Sequence, residues 1–266
     1  ASILVERGEL LAHGTRRIGR FQVIDPRYLA PILLAWGVSL MIFFAENDLG
    51  NSFLFFALFI GMLWVSTGRA LYLGFGGGLF AAGAFVALKV IHHAQSRVSG
   101  WLNPWPHANT SGYQIIQGWF AIAAGSVFGE GPGQSNAAHI PEAPTDFIFA
   151  VIADELGLVG AASLIMAYLL MVGTGLRIAL RCERPFEKLL ATGLSLALGV
   201  QVFVIVGGVT RLIPLTGITL PFVSYGGSSL ISNYILLALL LRISHDTETP
   251  SGLSTERYDP DALVEV

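Results

Sequence analysis

Six apolar runs, each near the length of a membrane-crossing helix, dominate this chain: 28–45, 50–67, 70–88, 147–175, 189–209 and 222–241. Five carry no charged side chain, while the run that starts at Phe147 holds two adjacent acids, Asp154 and Glu155. A bilayer core of roughly 30 Å needs about 20 apolar residues in helix, because in hydrocarbon each backbone N–H and C=O must find its partner within the segment. With 53% hydrophobic and 12% charged residues, the 266-residue chain has too little charge to clothe a soluble domain. The expected fold class is an all-α integral membrane protein with about six transmembrane helices. A weakly apolar stretch, 113–128, contains Gln114 and Gln117 among small residues. It suits an interfacial or re-entrant helix within a long extracytoplasmic loop, about 89–146.

The direction of the spans follows from their flanks. With the amino end in the cytoplasm, all but three of the 15 Lys and Arg residues fall inside, and only Lys89, Arg97 and Arg211 fall outside. The positive-inside rule produces this asymmetry, and the reverse topology violates it. Both ends of the chain are therefore expected in the cytoplasm: 1–27 as a connector of loop and short surface helix, 28–244 as the membrane domain, and 245–266 as a polar, disordered tail. The chain starts at Ala1 without a basic stretch and cleavable apolar run, so it reads as a piece or processed product of a longer protein. A net charge of −3 with no basic face excludes nucleic acid as a partner and points to membrane lipid and other proteins. The lone Cys182 excludes an internal disulfide and reads as an idle loop thiol.

Several polar residues need a reason. In Pro141-Glu142-Ala143-Pro144-Thr145-Asp146, a carboxylate arrives where the long loop meets the run from Phe147. Asp146 is either a proton-handling group or, with Thr145, the N-cap of that span. Asp48 is either a helix cap or a carboxylate on the rim of an outward-facing cavity. Arg97 can clamp a phosphate through paired hydrogen bonds or snorkel at the interface; Lys89 and Arg211 carry the same alternatives. Asp154 and Glu155, about 12 Å along the helix from Phe147 at 1.5 Å per residue, require polar company inside the bundle. Leu212 to Pro221 and then Ser224-Tyr225-Gly226-Gly227-Ser228-Ser229 combine helix-breaking prolines with close-approach glycines. Non-helical backbone at membrane depth persists where it lines a pocket, so Thr216, Ser228 and Ser229 are candidate lining residues. The outer acids Glu46, Asp48, Glu142 and Asp146 leave a divalent cation possible without the close ligand spacing that would specify one.

At these residues the chain resembles the SEDS family of bacterial cell-wall polymerases, which includes FtsW, RodA and SpoVE. The resemblance is carried, in order, by Asp48-Leu49-Gly50, by Trp101-Leu102-Asn103-Pro104-Trp105 with Tyr113-Gln114, by Pro141-Glu142 with Thr145-Asp146-Phe147-Ile148-Phe149-Ala150 and Glu155-Leu156-Gly157, and by Pro214-Leu215-Thr216-Gly217 through Ser229. It runs from about 22 to 246 and corresponds to the last six of the family's ten helices. Pro144 stands where the family usually has histidine, and Asp154 where it usually has Glu. The resemblance implies a peptidoglycan glycosyltransferase of the bacterial cytoplasmic membrane that polymerises lipid II, partnered by a class B penicillin-binding protein. Asp146 would be its catalytic base, and Arg97, Asp48, Glu142, Thr145, Glu155, Thr216, Ser228 and Ser229 would serve the substrate. Broken helices and buried acids suit a lipid II flippase equally well, and a non-catalytic scaffold for the penicillin-binding protein is a third reading.

Overall fold

The computed structural model describes residues 15–18, 21–24, 37, 49–90, 92–135 and 140–249. The expected span 28–45 (apart from Gly37), Asp48, and the tail from residue 250 lie outside the described residues. Two short strands, β1 (Thr15–Ile18) and β2 (Phe21–Ile24), pair antiparallel with Ile18 opposite Phe21. This hairpin occupies the later part of the stretch expected as a loop with a short surface helix, whose residues 1–14 lie outside the described residues.

The rest is helical. Helix α1 (Leu49–Thr67) and α2 (Leu71–Val90) form a hairpin, followed by α3 (His92–Leu102), α4 (Tyr113–Ala124), α5 (Ile148–Arg181), α6 (Pro185–Val209) and α7 (Gly227–Glu248). By length and composition α5, α6, α7 and residues Gly50–Thr67 of α1 are able to cross a membrane. Helix α2 contributes a further 20-residue apolar helix. These match five of the six expected runs, and α4 is the short helix expected within the long loop. The core of the bundle is α5 against α6, with α1 and α7 on α6 and α4 on α5.

Helix α6 opens with Pro185 in its first turn, where the missing N–H costs nothing, and Arg184 donates to Glu187 at 2.8 Å across that turn. Cys182 is buried in the α5–α6 turn, with Sγ 3.3 Å from the Thr247 hydroxyl of α7, and is thus packed rather than idle.

The largest departure from the sequence reading lies inside α5. Its 34 residues would make a rod of about 51 Å if unbroken, far longer than a bilayer core. The rod breaks at Gly157, with φ 66° and ψ −166°, a region open essentially to glycine alone. Loop residues 126–131 fill the break. The amides of Glu130 and Gly131 donate to the carbonyls of Asp154 (2.9 Å) and Glu155 (3.1 Å), and those of Leu158 and Val159 donate back to Ser126 (3.0 Å) and Val127 (3.2 Å). Asp154 and Glu155 are therefore not on a continuous helix: residues 158–181, roughly 36 Å long, are long enough to cross a bilayer by themselves, and 148–156 form a separate short helix at the loop-bearing end.

Candidate active site

The loop-bearing end converges on Asp146, and each strand of the chain there is held for a local reason. Glu142 sits at φ 57°, and its carbonyl accepts the amides of Thr145 (3.2 Å), Asp146 (3.1 Å) and Phe147 (3.3 Å). The Thr145 hydroxyl lies 3.1 Å from that carbonyl and 3.2 Å from the Glu142 carboxylate. This turn replaces an ordinary helix cap. The cap position of α5 is Phe147, and no side chain caps it. The capping alternative for Asp146 and Thr145 is thereby removed, which leaves the Asp146 carboxylate for other work. Phe147 is fully buried, with its ring against Gly118 of α4; a Cβ on Gly118 would come 2.7 Å from the ring. Close packing of this kind fixes the direction in which the next residue back along the chain emerges.

Opposite stands Arg97 of α3, half buried. Its Nη1 donates to the carbonyl of Thr216 at 2.9 Å and, more weakly, to that of Leu215 at 3.5 Å. Between the two charged groups lies Gly217, at φ 77°. A Cβ placed there would be 3.6 Å from Asp146 Oδ2, 3.7 Å from Arg97 Nη2 and 3.9 Å from Nη1. Carboxylate and guanidinium thus converge over a residue without a side chain. Gly50 of α1 packs against the same segment, where a Cβ would meet the Thr216 carbonyl at 2.6 Å. Burial pushes the Asp146 carboxyl above the usual carboxylate range, the negative charge of Glu142 pushes it further, and Arg97 offsets part of the rise.

The segment 214–229 is itself pinned. Tyr168 of α5 donates to the Pro221 carbonyl at 2.6 Å, and Gln201 of α6 to the Thr219 carbonyl at 2.8 Å. The hydroxyls of Thr219 and Ser229 are 2.6 Å apart, and Asn233 donates to the Ser229 carbonyl at 2.9 Å. Ser224, 2% exposed, accepts from the Leu220 amide at 2.7 Å and donates to the Thr145 carbonyl at 2.6 Å, while the Tyr225 amide reaches the Pro144 carbonyl at 2.8 Å. Pro144 acts here through its backbone carbonyl, an atom any residue supplies.

The structure therefore brings together Asp146, Glu142, Thr145, Arg97 and the backbone of Thr216, with Ser229 bracing the same segment from below. Ser228 is exposed on the first turn of α7, and its carbonyl accepts from Ser232 at 2.9 Å. Glu155 belongs to the α5 break, where it accepts from Ser135 at 3.0 Å. Arg211 is committed elsewhere. Its Nε and Nη2 donate to the carbonyls of Trp101 (2.8 Å) and Leu102 (2.6 Å), its own carbonyl accepts from the Trp101 indole (3.0 Å), and the guanidinium lies 5.1 Å from the Trp119 ring. It locks the end of α3, one turn beyond Arg97. Lys89 lies over the Phe85 ring at 5.3 Å. Among the described residues no three His, Cys, Asp or Glu side chains group as metal ligands. Sequence reasoning missed Ser224 and Gly217 as individual residues; the nearest signal was their place between the helix-breaking prolines and Gly226-Gly227.

The family of FtsW, RodA and SpoVE, described as cell cycle proteins, matches residues 10–249. The chain belongs to this family. The peptidoglycan glycosyltransferase RodA of Mycobacterium tuberculosis is 45% identical over 250 residues, which cover 94% of this chain and 53% of that protein. The chain thus spans about half the length of the curated relatives it matches. The crystal structure of the rod shape determining protein RodA of Thermus thermophilus superposes with a TM-score of 0.57 at 28% identity, over 93% of this chain and 64% of that one. A chain of a peptidoglycan synthase complex, in which polymerization and crosslinking are structurally coordinated, shares the fold with a TM-score of 0.65 at 24% identity, over 94% of this chain and 80% of that one. Family membership and the apolar helices make this a multi-pass membrane protein.

Proposed function

We propose that this chain carries the reaction centre of a peptidoglycan glycosyltransferase that polymerises lipid II at the outer face of the bacterial cytoplasmic membrane, with Asp146 as general base. The observation that carries the reading is the convergence of Asp146 and Arg97 over Gly217. Asp146 takes the proton of the acceptor sugar's 4-hydroxyl as that oxygen bonds to the donor's anomeric carbon. The bond from that carbon to the pyrophosphate breaks, and undecaprenyl pyrophosphate leaves with the electron pair. Arg97, aimed by the Thr216 and Leu215 carbonyls, faces the negative charge that develops on the leaving group. A carboxyl raised above its ordinary range is a stronger base than a free carboxylate.

The flippase reading is favoured by one observation, the broken helix α5. Transporters, however, place their breaks near the bilayer midplane. Here the residues beyond Gly157 are long enough to cross unaided, so the break belongs at the membrane surface, where a polymerase meets externally delivered substrate. A class B penicillin-binding protein is the proposed crosslinking partner, on the strength of the family resemblance.

The test is lipid II polymerisation in liposomes by the protein in its full natural length, with that partner, at matched folded protein. Asp146→Asn and Asp146→Ala should each lose about 10²–10⁴-fold in rate, the usual worth of a positioned general base. Undiminished polymer from both variants would remove Asp146 from the reaction. Loss of lipid translocation without loss of polymerisation of externally supplied lipid II would establish the flippase instead.

A further inference from the structure

The geometry points to Ser224 as the positioning residue that sets the Asp146 loop against Arg97. The inference rests on the general-base reading of Asp146 and extends it to a side chain that does not touch substrate. Ser224 has a hydroxyl with no freedom left: the Leu220 amide can only donate to it and the Thr145 carbonyl can only accept from it, so the direction of its hydrogen is settled by its partners. At 2% exposure, water cannot replace either bond. The next residue, Tyr225, holds the Pro144 carbonyl through its amide. Two consecutive residues thus hold the two consecutive carbonyls that precede Asp146.

The other end of the same segment holds the cation. Leu215 and Thr216 present their carbonyls to Arg97, and Gly217 lies between the charged groups. From Leu215 to Tyr225 the chain therefore acts as one gauge, touching the acid's loop at one end and the guanidinium at the other. The gauge is stiff, because Gln201, Tyr168 and the Thr219–Ser229 pair hold its middle. Removing the Ser224 hydroxyl frees the Thr145 carbonyl and the Leu220 amide together and lets the acid's loop drift from the guanidinium, while Arg97 keeps its own carbonyl partners. A misplacement of about 1 Å at a reacting group costs on the order of 10²-fold in rate.

The experiment compares Ser224→Ala and Ser224→Cys with wild type and with Asp146→Asn in lipid II polymerisation by the full-length protein, with Ser232→Ala on α7 as control. Rates are taken per folded molecule across a pH series. Ser224→Ala should lower kcat about 10–100-fold with KM changed less than about threefold. Its acid limb should move to lower pH, because a loosened loop exposes Asp146 to water. Ser224→Cys, with the same shape and a weaker hydrogen-bonding group, should fall between the two, and it carries the test if the alanine variant does not fold. A kcat per folded molecule equal to wild type, or a reduced kcat with an unmoved acid limb, would overturn the inference and leave Ser224 a plain brace. Retained polymerisation by Asp146→Asn would instead bring down the underlying reading of Asp146, whatever Ser224 does.

Discussion

Asp146 stands between an anion and a cation, and the two neighbours pull its acidity in opposite directions. Burial raises the carboxyl first, Glu142 raises it further, and Arg97 lowers it. A general base works only when ionised, so the polymerisation rate should fall as pH drops through this raised value. Neutralising Glu142 removes a like charge, and the carboxyl should then ionise at lower pH. Glu142→Gln, which keeps an oxygen for the Thr145 hydroxyl, should therefore move the acid limb of kcat to lower pH. Removing the cation has the reverse sign: Arg97→Gln should move the limb to higher pH and also lower kcat, because the leaving pyrophosphate loses its counter-charge. Initial rates of glycan synthesis over a pH series read both shifts. Displacement of both limbs in the same direction would contradict the arrangement of charges described here.

Helix α5 carries the sharpest lesson at the level of elements. Its break depends on one residue: Gly157 adopts a conformation closed to other residues, and a Cβ there would overlap the backbone of Val127 and Gly129. Gly157→Ala combines that strain, worth about 1–3 kcal/mol, with a backbone clash that forces the 126–131 loop out of the break. The expected result is a large fall in the thermal midpoint of the purified protein, or its loss from the monodisperse peak on size exclusion. Gly173→Ala, on the same helix with nothing within 4 Å of the added carbon, should change the midpoint little. The spans themselves were legible because about 20 uncharged residues in a row have few other uses. The break was not, because the amides that satisfy it come from 130 and 131, more than twenty residues away, and apolar character continues past Gly157 without interruption. Only the excess length of the run hinted at it. Ser224 was hidden for a related reason: the sequence offers Ser224, Ser228 and Ser229 on equal terms, and the turn from Leu220 to Ser224 decides which hydroxyl is buried.

For the molecule as a whole, charge separates along the bundle axis. At the end away from Asp146, Arg242 pairs with Asp246 (3.1 Å), Arg184 with Glu187 (2.8 Å) and Arg181 with Glu248 (3.8 Å), and Arg177 and Lys188 lie on the same ends of α5 and α6. At the loop-bearing end Arg97 and Arg211 are each committed to backbone carbonyls. Two of the three cations that depart from the positive-inside pattern are thus tied to backbone carbonyls by the fold, so they weigh little against an orientation with the loops outside. Family membership says nothing further about direction, and the charge pattern makes a definite prediction. In a Cys182→Ser background, single cysteines are placed at Asn109, exposed in the long loop, and at Glu183, exposed in the α5–α6 turn. A membrane-impermeant maleimide should label Asn109→Cys in intact cells and Glu183→Cys only after permeabilisation. The opposite pattern would place Asp146 in the cytoplasm, where base catalysis on externally delivered lipid II is impossible, and both the orientation and the polymerase reading would fall with it.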